Sequence, residues 1–339
     1  MNAPKVTLKL LSERTGFDKS TISRVLRGDT TLSIRPENLE LIQRTARELN
    51  YVPDLAGRSL RSSRTYSLGA VIPSLQNQIH AQIIEGAHEI CYSKGYSLIL
   101  VQADTADRQV EAVKRLVAGN RIEGLLALTF RNEYAQAATL GKLGVPVMAV
   151  NWKADGLANW ITVDERLGGR LAAEHLISLG HRRIAHISGD LERFNAHERY
   201  LGFCEGLEAG GIKLDPDLIS RGGYSFEEGF AAMNALLDRR RGDFTAVFGV
   251  SLLTSAGAIN AMQKRGVRIP DDVSIVSFHD GLVAEVMTPR LTTVAFALND
   301  MGRFAASGLI RILEGQSEAF SQIVPGARLI VRESTRALT

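Results

Sequence analysis

Two cysteines in 339 residues, Cys91 and Cys204, are too few for a disulfide framework. Each lies in an apolar-periodic stretch, so both read as buried thiols in a reducing compartment. No stretch approaches the roughly eighteen uninterrupted apolar residues that a membrane span needs. No apolar run follows the first lysine, so a secretory signal is not expected either. These absences point to a soluble cytoplasmic protein. Catalytic signatures are equally scarce. There is no G-x-S-x-G elbow, no P-loop motif and no Cys/His pair with a credible base. His175, His181 and His186 are spread over a helix, its end and a strand, which is poor metal-ligand spacing. LGGR at 167–170 lacks the order of a phosphate-binding glycine loop and reads as close helix packing. The expectation is a protein without catalysis, metal or cofactor.

What is present is length, apolar content and an uneven charge. At 339 residues and 45% hydrophobic content the chain can fill two or three well-buried domains. The net charge of +3 divides unequally: residues 1–64 hold twelve Lys+Arg against seven Asp+Glu, or +5. The remaining 28 and 30 of the chain's 40 and 37 give −2. A basic small module on a slightly acidic large one suggests an anionic partner for the first 64 residues, with nucleic acid foremost. A solvated surface with a chance excess of arginine is the alternative.

The first fifty residues read as three helices. Thr7 caps a helix from Leu8 to about Arg14, with Leu8 and Leu11 inward and Gly16 ending it. Asp18 caps a second, closed by Gly28. Ser33 opens a third through Leu49, with Pro36 in its first turn and Leu39, Ile42, Ala46 and Leu49 as its apolar stripe. From Tyr66 onward short apolar runs alternate with amphipathic helices: SLGAVIP, YSLILVQ, IEGLLALT, VPVMAV, ITVDE, RRIAHISG, TAVFGV, VSIVSFHD, LTTVAF and ARLIVRES. Unbroken Val/Ile/Leu runs between helices indicate parallel sheets covered on both faces. Some 270 residues of this pattern exceed one comfortable sheet. The expected fold is α/β, with a helical headpiece and two doubly wound subdomains whose ligand loops lie at the strand C-terminal ends.

The stretch RTGFDKSTISRVLRG carries the sharpest local signal. Its second helix sets Lys19, Ser20, Thr21, Ser23, Arg24 and Arg27 against only Ile22, Val25 and Leu26. Two helices joined by a Gly-containing turn, the second polar from its first turn, form a helix-turn-helix. Lys19 and Ser20 stand where side chains reach base edges, and Arg24, one turn on, suits guanine O6/N7. Thr7, Thr21, Ser23 and Arg27 are placed for phosphates, and the apolar trio for the core.

VTLKLLSERTGFDKSTISRVLRG followed by ARELNYVPDLAGRSLRSSRT resembles the headpiece and hinge of the lactose-repressor/galactose-repressor family of bacterial transcription regulators. The likeness continues through GRLAAEHLISLGHRRIAHISG, ERYLGF, GVRIPDDVSIVSF and PRLTTV, from Val6 to about Glu333. It implies a homodimer on a pseudo-palindromic operator, with a periplasmic-binding-protein-like effector domain that switches DNA affinity. The division expected is 1–50 headpiece, 51–64 hinge and 65–339 effector-binding and dimerisation domain. Within the last, subdomain one takes 65–162 and 292–321, and subdomain two takes 163–291 and 322–339. No heptad helix follows the last strand, so a dimer is expected rather than a tetramer.

The resemblance also assigns the hinge, where Asp54 caps a short helix that forms on the operator and Leu60 is a minor-groove wedge. An inserted leucine unstacks a base step. Arg58 and Arg61 flank it with charge for the backbone, although Leu60 could instead pack on the effector domain. Gly57 stands where alanine is usual, and glycine disfavours helix by about 1 kcal/mol.

For the effector, the resemblance points to Ser74, Asn77, Phe130 and Asn151 from one subdomain. From the other it points to Arg193, Asn195, His197, Tyr224, Ser251 and His279. Tyr224 offers an aromatic face for stacking, or else covers the core. Three anchors depart from the family pattern: His197 for Arg, Ser251-Leu252 for Asn-Asp and His279 for Asp. Gluconate-type repressors resemble this chain in the last feature and in the NQ of SLQNQ. Two imidazoles beside Arg193 suggest an anionic effector, a sugar acid or sugar phosphate, held by charge-assisted bonds. A neutral sugar or nucleoside is the alternative.

Overall fold

The computed structural model describes residues 6–26, 29, 31–51, 64–128, 133–240 and 242–338. They divide into two units, Met1–Arg64 and Thr65–Thr339. Arg27, Gly28, the hinge residues Asp54, Gly57, Arg58, Leu60 and Arg61, and Phe130 lie outside the described residues.

The first unit holds α1 (Leu8–Thr15), α2 (Lys19–Leu26) and α3 (Pro36–Glu48). The Thr7 hydroxyl accepts from the Leu10 N–H, and Gly16 ends α1 at φ 77°, a left-handed cap that glycine adopts without penalty. Asp18 caps α2 by accepting from the Ser20 and Thr21 N–H groups at 2.9 and 3.0 Å. The third helix begins at Pro36 rather than at Ser33, because a residue before proline is held out of the α region and Arg35 is therefore extended. Leu11, Ile22, Val25, Ile42 and Ala46 form the core, with Leu8, Leu26 and Leu49 packed against it. Leu39, expected inward, is instead exposed.

The second unit contains two six-stranded sheets. The first is built from β1 (Ser67–Ile72), β2 (Ser97–Gln102), β3 (Gly124–Leu128), β4 (Val147–Val150), β5 (Trp160–Val163) and, far along the chain, β11 (Ser321–Val324). Its order is β2-β1-β3-β4-β5-β11, all parallel. The second comprises β6 (Ile184–Ser188), β7 (Ile219–Arg221), β8 (Ala246–Gly249), β9 (Ser274–Phe278), β10 (Thr292–Ala295) and β12 (Arg328–Ile330). It runs β7-β6-β8-β9-β10-β12, with only β12 antiparallel. Each sheet reverses strand order once, between β1 and β3 in one and between β6 and β8 in the other. Crevices for ligands open at such switch points.

The subdomain boundaries expected from sequence are corrected at two strands. Strand β10 pairs with β9, Thr292 opposite Val276, and so belongs to the second sheet. Strand β11 pairs with β5, Ser321 opposite Trp160, and so belongs to the first. The chain therefore crosses after β5, after β10 and again after β11. Sheet membership of a single short strand is a non-local property that its own residues do not encode.

The helices covering the sheets are α4 (Gln78–Ser93), α5 (Ala106–Ala118), α6 (Glu133–Leu140), α7 (Glu165–Ser178), α8 (Phe194–Ala209), α9 (Phe226–Arg240), α10 (Leu252–Lys264), α11 (Leu282–Val286) and α12 (Leu298–Leu313). Helices α7 and α8 meet through glycines. A Cβ at Gly169 would lie 2.1 Å from the Arg199 carbonyl oxygen, and one at Gly202 would lie 1.9 Å from that of Arg166. In LGGR, Gly169 therefore serves backbone approach between helices, while Gly168 makes room for the Phe278 and Phe296 rings, as the stretch's lack of phosphate-loop order suggests.

Candidate functional site

On the headpiece, Lys19 and Ser20 are exposed at the start of α2, while Thr21, Ser23 and Arg24 are half-buried. The Thr21 hydroxyl donates to Asp18 Oδ2, so it is partly committed to the cap. Ile22 and Val25 face the core. The second helix thus has one apolar and one polar face, the latter bearing every described residue expected to reach DNA except Thr7, which stands at the α1 cap.

In the large unit a cleft of about 820 Å³ opens between the C-terminal ends of the two sheets. That volume lies within the ~300–1,000 Å³ usual for small-molecule sites. Ser74, Asn77 and Asn151 line it from the first sheet, and Arg193, Asn195, Tyr224 and His279 from the second. These are seven of the ten residues expected. Phe130 is not described.

His197 and Ser251 do not line the cleft. His197 is exposed on α8. Successive helical residues turn by about 100°, so 195 and 199 share a face from which 197 points away. The α8 cation on the cleft side is Arg199, two residues further on, which sequence reasoning missed although it sits one turn beyond Asn195. Ser251 is buried as the cap of α10, accepting from the Thr254 N–H and bonded to its hydroxyl at 2.8 Å. Its neighbour Leu253 lines the cleft instead. His80, Asp104 and Asp190 also line it and were not anticipated. His80 was accessible by the same helical logic, one turn after Asn77.

The hydrogen bonds show which groups are committed. Asn77 accepts from the Ile79 N–H as the cap of α4. His80 Nδ1 lies 2.8 Å from the Ser74 carbonyl, which fixes the proton on Nδ1. The Tyr224 hydroxyl donates to Asn195 Oδ1 at 3.0 Å, and the Arg193 guanidinium lies 5.6 Å from the Tyr224 ring centre. The Tyr224 ring both lines the cleft and covers Gly189, where a Cβ would meet its hydroxyl at 2.7 Å.

Arg199 and Glu165 form a buried ion pair at the cleft wall, Nε to Oε2 2.5 Å and Nη2 to Oε1 3.2 Å. The guanidinium also donates to the Val250 carbonyl at 2.8 Å and stacks 3.9 Å over the Phe278 ring. Burial pushes the Glu165 carboxyl up, and the arginine opposes that shift. Burial, followed by the nearby Arg199 charge, holds the His279 imidazole well below its usual range, so the ring is neutral. Asn151 Oδ1 and both His279 ring nitrogens are buried without a hydrogen-bond partner among the described residues. Between them, the neutral imidazole and the amide oxygen of two cleft-lining residues have the capacity to accept from and donate to ligand hydroxyls.

Two doubly wound lobes with a polar cleft at their strand ends define a periplasmic-binding-protein-like domain, and residues 173–335 match the family described as periplasmic binding protein-like domain. Over almost the whole chain the similarity is to regulators. The HTH-type transcriptional regulator CelR of Thermobifida fusca is 31% identical over 337 residues, covering 97% of this chain and 98% of that protein. The HTH-type transcriptional repressor PurR of Haemophilus influenzae (strain PittEE) is 29% identical over 340 residues, covering 98% and 99%. Among solved structures, a CelR–cellobiose complex superposes with a TM-score of 0.75 at 30% identity, covering 97% of this chain and all of that one. A lac repressor dimer bound to operator and the anti-inducer ONPF gives 0.84 at 25% identity, covering 98% and 100%. The chain belongs to the lactose-repressor/galactose-repressor (LacI) family of transcriptional regulators.

Proposed function

We propose that this protein is a repressor whose hold on operator DNA is switched by a neutral sugar bound between the two lobes. The observation that carries the ligand class is that two cleft-lining residues, Asn151 and His279, hold buried polar atoms without a partner among the described residues: Asn151 Oδ1, His279 Nδ1 and His279 Nε2. Sugar hydroxyls donate and accept, and so can satisfy all three. Charge argues the same way. Asp104, Asp190, Glu227 and Glu228 line the cleft against Arg193, Arg199 and Arg221, and Arg199 is already neutralised by Glu165. Both imidazole premises for a sugar acid or sugar phosphate lapse, since His197 points elsewhere and His279 is uncharged. The solved CelR relative is in complex with cellobiose, an uncharged sugar.

On the DNA side, Lys19, Ser20 and Arg24 read base edges while Thr7, Thr21 and Ser23 hold phosphates, in a cytoplasmic homodimer on a pseudo-palindromic site. The effector acts only through its different affinity for the open and closed arrangements of the lobes. A thermal-shift screen of the full chain against neutral sugars, sugar acids, sugar phosphates and purines tests the ligand class. Stabilisation by neutral sugars is expected. Stabilisation by sugar acids, sugar phosphates or purines alone overturns it. Sequence-selective DNA binding that weakens steeply with salt is expected of the headpiece, and its absence would leave a ligand receptor without operator reading.

A further inference from the structure

We infer that Asp29 and Thr31 are specificity-determining residues that hold the Arg24 guanidinium in the orientation needed to read one base pair. The inference rests on the reading of Arg24 as a base contact.

Arg24 is the last basic residue of α2, and its side chain would be expected to sweep freely over the module's surface. It does not. Its Nε donates to Asp29 Oδ2 at 2.7 Å, and its Nη2 donates to the Thr31 hydroxyl at 3.0 Å. Asp29 is itself fixed, because its Oδ1 accepts from the Thr31 N–H at 2.9 Å and from the Thr31 hydroxyl at 2.7 Å. The three side chains close a ring of hydrogen bonds between the end of the recognition helix and the loop that follows it.

The geometry of the guanidinium gives this ring a consequence. Arginine has two faces that can donate in parallel, a side face from Nε and Nη2 and an end face from Nη1 and Nη2. Asp29 and Thr31 occupy the side face. The end face keeps its outward N–H groups, and this is the pair whose spacing suits guanine O6 and N7. A side chain at about one-third exposure, with its torsions already chosen, surrenders less freedom on docking than an untethered one. The carboxylate does not help attraction to DNA, since its charge has the same sign as the phosphates. Its presence in a basic module is therefore explained by orientation rather than by affinity.

The test is selection from a random-sequence duplex pool, with the full chain and with the variants R24A, D29A and T31V. Per-position base preference is scored alongside affinity for a non-selected duplex. R24A should lose preference at one position per half-site by about 5- to 150-fold, the range of a bidentate arginine–guanine pair. D29A should weaken preference at that same position by about two- to tenfold, the range for immobilising one flexible side chain. Its affinity for non-selected DNA should hold or rise. T31V should act at the same position and less strongly, and D29A should add nothing in the R24A background. If R24A erases a preference that D29A and T31V both leave intact, the buttress is refuted while Arg24 remains a base reader. If R24A erases none, the base-reading role fails and the inference goes with it. Equal loss by D29A on every duplex would make Asp29 a fold residue and also overturn the proposal.

Discussion

Asn151 and His279 occupy matching places in the two lobes. Each follows the fourth strand of its sheet in chain order, β4 and β9, and each is buried with a left-handed backbone, at φ 65° and 69°. Each also leaves buried polar atoms without a partner among the described residues. A left-handed conformation costs a residue such as His279 roughly 1–2 kcal/mol and asparagine less, and an orphaned buried acceptor costs roughly 1–3 kcal/mol. Both penalties fall at the cleft wall, one from each lobe. Strain of this kind, falling on one residue from each lobe, supports the reading of the two as ligand contacts proposed above.

Replacing Asn151 by glycine removes the strained side chain and its orphaned oxygen together. Glycine's own entropic cost, about 0.5–1 kcal/mol, recovers only part of that gain. The variant should therefore be more stable than the parent by about 1 kcal/mol in urea unfolding. It should bind operator normally and fail to respond to effector. A loss of stability would show that Asn151 serves the fold rather than the ligand.

The buried histidines set a pH dependence. His186 is fully buried between Tyr200, Phe203 and Phe248, and burial lowers it to about 4 from 6.5, although the Phe248 carbonyl bound to its Nδ1 works against that shift. Between those values the unfolded chain takes up a proton that the folded chain refuses. Stability is thus complete above about pH 7 and falls as the pH drops toward 4. At pH 5 this one residue should account for about 2 kcal/mol of the loss. H186F should flatten the slope of unfolding free energy against pH by that amount. His80 and His279 shift the same way and will keep the remaining slope above zero. An unchanged slope in H186F would mean that the imidazole is protonated in the folded state.

Features that depend on a few neighbouring residues were legible in the sequence. The caps at Thr7 and Asp18 and the glycine stop at Gly16 follow from contacts within one helical turn, and the apolar trio of α2 from its spacing within about one turn. The two-sheet architecture was legible because strands covered on both faces read as unbroken apolar runs. Legibility ended where a choice depended on distant partners. Residues 292–295 look the same whichever sheet receives them. His197 and Arg199 both lie near Asn195 in sequence, and only the packing of α8 decides which of them turns to the cleft. The resemblance assigns Ser251 to the effector, but capping α10 claims its hydroxyl first. The Arg24–Asp29 contact spans five residues across a loop and has no periodic signature.

The close approach of α7 and α8 gives a prediction whose sign is set by magnitude. Alanine at an exposed helical position gains about 1 kcal/mol over glycine. At Gly202 the added Cβ would stand 1.9 Å from the Arg166 carbonyl oxygen, which belongs to backbone and cannot rotate away. Overpacking of this kind costs roughly 1–3 kcal/mol or more, so G202A should be destabilised in spite of its better helix propensity. Chemical denaturation would measure the shift in midpoint. Stabilisation by about 1 kcal/mol would mean that the helices separate freely and that the glycine is incidental.

The same two helices carry the ion pair at the cleft wall, since Glu165 opens α7 and Arg199 lies in α8. With both side chains only 1% exposed, attraction between them is set against a large cost of desolvation. Removing one partner leaves a buried charge without its bidentate counter-ion. E165A should therefore lose about 3–5 kcal/mol of stability. Replacing both residues by apolar side chains of similar volume, E165L with R199M, should recover most of it, because no buried charge remains. The double variant should still fold and bind operator, yet lose effector affinity, since Arg199 faces the cleft. Unfolding free energies of the two single variants and the double variant, with effector titrations on the double, separate the structural role of the pair from its role at the ligand. Full effector affinity in the folded double variant would remove Arg199 from the binding site and leave the pair a purely structural join between α7 and α8.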